Sequence, residues 1–185
     1  LAGDDEFCEV FFDQVRVPAA NLVGGLHEGW TVAKSLLGVE RLVTGSPTLA
    51  RQSFEYLRKL LDMPDVRAAA LRDERFQRAA CDLNDTEALY ATVCEAAVAG
   101  GTLDAEYSVI KVLSTELFQR IADLMMEWAN ERGGTFGECD FADSRFDLHR
   151  LNMIARPGTI YGGASEVQRD ILARLLLGPV SSGHN

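Results

Sequence analysis

"GWTVAKSLLGVERLVTGSPTLARQSFEYLRKLLDMPD", residues 29–65, decides the fold. Apolar side chains recur three and four apart at Trp30, Ala33, Leu37 and Val43, and again at Leu49, Phe54, Leu57 and Leu60. That is the period of helices with one buried face. Pro47 has no amide donor, so the element kinks or restarts at "TGSP", and "DMPD" closes it. At about 100° per residue, Ala33, Leu36, Leu37, Val43 and Thr44 fall within roughly 60° of Glu40. A carboxylate therefore stands in the middle of a stripe expected to face a core.

The neighbours of Glu40 at three and four residues are Leu36, Leu37, Val43 and Thr44, so no cation on its own helix can pair with it. Three outcomes remain open. The carboxylate bonds a donor from a neighbouring helix, it is solvated in a cavity, or burial penalises its charge and makes it a better proton acceptor. The last suits a general base working near neutral pH. Arg41 follows about 100° around the helix. It either rims a pocket and holds an anionic group or snorkels to the surface.

Helical periodicity continues downstream. A second helix is expected over 66–99, stopped by Gly100 and Gly101, and a third over 104–131, stopped by Gly133 and Gly134. A short helix is expected over 144–155, and a last one over 165–177 before Gly178 and Pro179. Long helices with short connections predict an all-α fold, an antiparallel four-helix-type bundle over 27–180, with 181–185 as a frayed tail. Residues 8–17, "CEVFFDQVRV", read as a strand ended by Pro18. A lone strand cannot satisfy its own backbone, so residues 1–26 read as the edge of a neighbouring β unit and the chain as one piece of a larger assembly.

Composition bounds the function. The 185 residues are 47% hydrophobic and 25% charged, enough to bury the core of one domain. A formal charge of −10 lacks the basic stripe that phosphate backbones require, which excludes nucleic acid as an expected partner. No apolar run approaches the ~20 residues of a membrane span and no signal-like start is present, so a cytoplasmic setting is expected. The four cysteines and three histidines share no ligand spacing, so no metal is expected and the thiols read as reduced.

Three stretches carry a resemblance: "EVFFDQVRVPAANLVGGLHEGW" at 9–30, "LLGVERLV" at 36–43 and "IYGGASEVQRDILARLLLG" at 160–178. In order and spacing they resemble the C-terminal half of the acyl-CoA dehydrogenase family. The resemblance runs from about residue 8 to residue 179 and is faint between 58 and 100. It implies an FAD enzyme that removes two hydrogens from the α and β carbons of an acyl-CoA thioester, a glutamate taking the α-proton and the flavin a hydride. The family places that glutamate either in a "YEGT" motif before the last helix or on the first long helix of the bundle. The first position is Gly162 in "YGGAS" and the second is Glu40 in "GVERL", as in the isovaleryl and long-chain branches.

By the same resemblance Arg41 supports the substrate side, Tyr161 lines the pocket, and Gly162 and Gly163 bring backbone amides to the thioester. Ser165 and Glu166 stand where the family contacts its flavin, with Ala164 replacing a threonine. Asn130, Gly133 and Gly134 match the family's Gln-x-x-Gly-Gly, which would meet the dinucleotide part of FAD from a neighbouring subunit. The arginine segment that grips the flavin diphosphate is not recognisable in "YLRKLLDMPD". Gly133 and Gly134 also read simply as a helix stop, and Glu166 as a first-turn charge. The family further implies an electron-transfer flavoprotein-type acceptor and a homo- or hetero-oligomer, dimeric or tetrameric. Two other readings stand beside the enzyme: a non-catalytic, cofactor-completing subunit of a heteromeric dehydrogenase, and a helical interaction module without ligand.

Overall fold

Gly45, Ser46 and Pro47 divide the first amphipathic stretch as the proline requires, leaving α1 at Gly29–Thr44 and α2 at Thr48–Leu60. The computed structural model describes residues 2–3, 8–101, 103–130, 134, 137–141 and 144–178. The remaining helices are α3 (Pro64–Ala70), α4 (Glu74–Val98), α5 (Asp104–Ala129), α6 (Leu148–Ala155) and α7 (Ser165–Leu177). The all-α bundle expected from the periodicity is what forms.

The hub is α5, which packs against α1, α2, α3, α4, α6 and α7. Its sequence suits that place because apolar residues and small ones alternate around the whole cylinder rather than along one stripe. Ile110, Leu117, Ile121, Ala122 and Met125 are buried together with Leu57 and Leu60 of α2. At the far end, rings close the core: Phe54 stacks on Phe76 at 5.3 Å, and Phe146 on Tyr56 and Phe141 at 4.5 Å each.

Three local expectations are corrected. The helix expected over 66–99 is two helices, because Asp73 accepts a hydrogen bond from the Arg75 amide at 2.9 Å and caps a new one. The third helix ends at Ala129, two residues early, where Asn130 takes a φ of 52° that a helix cannot continue. The short helix expected over 144–155 begins only at Leu148. Ser144–Phe146 pairs instead with Cys139–Phe141 as an antiparallel hairpin of strands β1 and β2, which buries Phe141 and Phe146 on α2 and α5 neighbours. Asp147 then caps α6 by accepting from the Arg150 amide at 2.8 Å.

Residues 8–17 pair with no strand among the described residues. Phe11 and Phe12 are more than four-fifths exposed. The alternating pattern is real, but the sheet that would satisfy it is not built by these residues. No described helix is long and apolar enough to cross a membrane.

Candidate functional site

The C-terminal end of α1 docks on α5 through its backbone. Ser114 Oγ donates to the Gly45 carbonyl at 2.6 Å, and a Cβ on Gly45 would stand 2.7 Å from Ile110 Cγ2 and 3.0 Å from the Lys111 amide nitrogen. Gly45 is thus required for the close approach. This contact sets the rotation of α1: Arg41, Leu42 and Thr44 are half-buried, and Glu40 lies on the open side.

Burial of Glu40 is therefore corrected. Leu36 is 65% exposed, Val43 69% and Glu40 itself exposed, so the apolar stripe exists as the wheel indicated, but nothing among the described residues covers it. Arg41 makes no ion pair or side-chain hydrogen bond among the described residues. Its backbone carbonyl receives the Gly45 amide at 2.8 Å.

The second element is the turn at 160–164, which α5 holds from below. Gln119 Nε2 donates to the carbonyls of Ala155 and Arg156, each at 3.0 Å, and to Thr159 Oγ1 at 3.1 Å. Arg156 reaches Asp123 at 2.7 Å. Pro157 then receives the amides of Ile160 and Tyr161, and Tyr161 stands exposed at the edge of the turn. Gly162 and Gly163 follow with φ of 62° and 94°, which a side chain would strain. A Cβ on Gly162 would lie 2.7 Å from Thr44 Oγ1, and one on Gly163 would collide with the Gln168 amide. Thr44 is thus the hinge pin between α1 and the turn, and its hydroxyl donates to the Glu40 carbonyl one helical turn back at 3.1 Å.

At the start of α7, Ala164 supplies no side-chain cap, so the first-turn amides remain open to an outside acceptor. Glu166 is exposed beside them. Ser165 is buried at 2% exposure, its Oγ without a hydrogen-bond partner, and it points away from any ligand outside the bundle. The open amides at the start of α7 are donors suited to an acceptor-bearing cofactor such as a flavin, whereas the Glu166 carboxylate only accepts.

Asn130 and Gly134 are exposed at the other end of α5, and Gly133 lies outside the described residues. Asn130 stands nineteen positions beyond Lys111 along α5, which places the two about 28 Å apart. Within one chain, Thr44 brings α1, the helix of Glu40 and Arg41, against the turn of Gly162 and Gly163, while Asn130 closes the opposite end of α5.

Three residues of this end escape the sequence reading: Thr44, Lys111 and Gln168. Lys111 is buried, and burial lowers its pKa against the opposing pull of Glu116 and Glu166. The wheel test that singles out Glu40 passes it over, because its neighbours at three and four residues are Tyr107, Ser108, Ser114 and Thr115. Nothing local marks Gln168 or Thr44, whose importance lies in contacts between distant segments.

Residues 27–177 match the family model for the acyl-CoA dehydrogenase C-terminal domain. Acyl-CoA dehydrogenase IpdE1 of Mycobacterium tuberculosis is 33% identical over 186 residues, covering 96% of this chain and 45% of that protein. The chain thus spans less than half the length of that relative. A crystal structure of an acyl-CoA dehydrogenase from Geobacillus kaustophilus superposes with a TM-score of 0.75 at 23% identity, over 90% of this chain and 43% of that one. The ChsE4-ChsE5 complex from Mycobacterium tuberculosis gives 0.72 at 25% identity, over 91% and 45%.

Proposed function

Because the chain belongs to the acyl-CoA dehydrogenase family, we propose that it forms the C-terminal domain of an FAD-dependent enzyme that dehydrogenates an acyl-CoA thioester between its α and β carbons. Glu40 is the base that takes the α-proton. One observation carries this assignment. The turn at Gly162 has no room for a side chain against Thr44, and Thr44 joins that turn to α1 one helical turn from Glu40.

FAD, when bound, supplies the acceptor for the β-hydride. The chain's own residues do the rest. Glu40 accepts the α-proton as the C–H bond breaks, and the amides of Gly162 and Gly163 donate to the thioester oxygen, where negative charge develops. Arg41 steadies the anionic side of the substrate and Tyr161 borders it. The open stripe at Leu36, Leu37 and Val43 receives the acyl chain and the remainder of the enzyme, whose closure excludes water from the reacting carbons. An electron-transfer flavoprotein-type acceptor would be the redox partner of such a site.

Glu40→Gln in the intact protein tests this. Substrate-dependent bleaching of the flavin should fall by at least about a hundredfold, with FAD still bound. Bleaching near the wild-type rate would remove Glu40 from the mechanism.

A second reading is favoured by the inward-facing Ser165 and by Ala164, which together withdraw two hydroxyls from the cofactor side. In it the chain completes the cofactor site of a paralogous subunit within a heteromer and does no chemistry. The likeness to a chain of the ChsE4-ChsE5 complex supports it. One FAD per copy of this chain in the purified assembly would count against that reading.

A further inference from the structure

Lys111 is the largest fully buried side chain in the described structure, and its Nζ has no hydrogen-bond partner within it. An ammonium removed from water without a partner costs several kcal/mol, so an uncompensated one does not persist in a folded core. Two more buried side-chain atoms lack partners at the start of α7, the helix packed on this face of α5: Ser165 Oγ and Gln168 Oε1. Glu166 lies between them in sequence, close enough to influence the Lys111 charge.

The chemistry of the three orphans is complementary. An ammonium has three donors and no acceptor, a carboxamide oxygen only accepts, and a hydroxyl does both. Gln168 is in addition connected to the candidate site, because its Nε2 donates to the Gly162 carbonyl at 3.4 Å and crowds Gly163.

We propose that Lys111 is a positioning residue whose ammonium donates, through one internal water, to Gln168 Oε1 and Ser165 Oγ. The bond fixes the Gln168 amide, whose other end holds the Gly162 carbonyl. The aim of the Gly162 and Gly163 amides is thereby set from the centre of the bundle. Lys111 touches no substrate; it acts through Gln168. The structural half of this proposal stands on the buried cluster alone, and the kinetic half rests on the dehydrogenase reading above.

The test uses the intact protein with Lys111→Met, which keeps the aliphatic stem, and Gln168→Leu, alone and combined. Amide hydrogen exchange at 162–164 should accelerate in both single variants while the core amides of α2 and α4 keep their protection. The rate of flavin reduction should fall about tenfold with KM within about twofold of wild type. The double variant should be no worse than either single one, since both break the same link. Additive losses, faster exchange spread evenly along α5, or unchanged exchange at the turn would each overturn the proposal. If Lys111→Met does not fold, Ser165→Ala and Gln168→Leu decide it, since each removes one acceptor, and unchanged exchange at 162–164 in both would overturn it. The exchange experiment needs no substrate, so its failure is separable from failure of the dehydrogenase reading.

Discussion

Thr44 and Gly162 meet so closely that a Cβ on the glycine would stand 2.7 Å from the threonine hydroxyl and 3.2 Å from its Cβ. The contact joins α1 to the turn before α7 one helical turn from Glu40, whose backbone carbonyl accepts from the threonine hydroxyl.

Gly162→Ala therefore meets both a clash and a φ of 62°, and is expected to destabilise the intact protein by about 2 kcal/mol. Thr44→Ala alone should cost less than about 1 kcal/mol, because its hydroxyl bonds only carbonyls of its own helix. The double variant should recover the steric part of the loss and keep the backbone part. Denaturant unfolding measures all three. A Gly162→Ala variant as stable as wild type would contradict this geometry.

Asp73 gives a pH signature. The Arg75 guanidinium, the Arg75 amide and Trp128 Nε1 bond its carboxylate at 2.7, 2.9 and 3.3 Å and, against the opposing effect of burial, hold its pKa down to about 2. A carboxylate with a depressed folded pKa stabilises fully above its unfolded value and loses that contribution as pH falls toward the folded one. Asp73→Ala should cost about 1–2 kcal/mol at neutral pH, mostly from the lost helix cap. The gap between wild type and variant should narrow between about pH 4 and pH 2. Urea unfolding at pH 6, 4 and 3 reads it, and a gap that widens on acidification would refute the assignment.

Gln119 is the anchor of the 156–159 connection. Gln119→Leu keeps the volume but strips two carbonyls and a hydroxyl of their donor, so a loss of about 1–3 kcal/mol is expected. The surface pair Arg169–Glu116, at 2.8 Å, is the control. Arg169→Ala should change stability by less than about 1 kcal/mol.

The distance along α5 predicts sharing between copies. If Asn130 contacts the cofactor held over a neighbour's Glu40, a copy with Glu40→Gln and a copy with Asn130→Glu are each inactive alone. Co-purified as a mixed oligomer, they should regain activity, because one of the sites then has both native residues. Absence of any recovery in a verified hybrid would place the contact within one chain or remove it.

Much of the fold was legible locally. The period of apolar residues placed α1, α2, α5 and α7, Pro47 marked the restart between α1 and α2, and the stripe around Glu40 was read correctly as apolar. Local signals failed where two readings competed: Asp73 and Asp147 each look like ordinary helix-surface acids until the backbone turns beneath them and makes them caps. The pairing of β1 with β2 escaped because its reason is tertiary: Phe146 stacks on Tyr56 of α2 and on Phe141.

By itself the sequence determined which segments are helical, which face of α1 is apolar and that a carboxylate interrupts it, since these follow from spacing along one chain. Tertiary structure alone decided that this face lies open, that Thr44 meets Gly162, and that Lys111 and Gln168 are buried. Those facts depend on how far α1 rotates on α5 and how closely α7 approaches. Backbone contacts at Gly45, Gly162 and Gly163 set both, and no periodicity within a single segment encodes them.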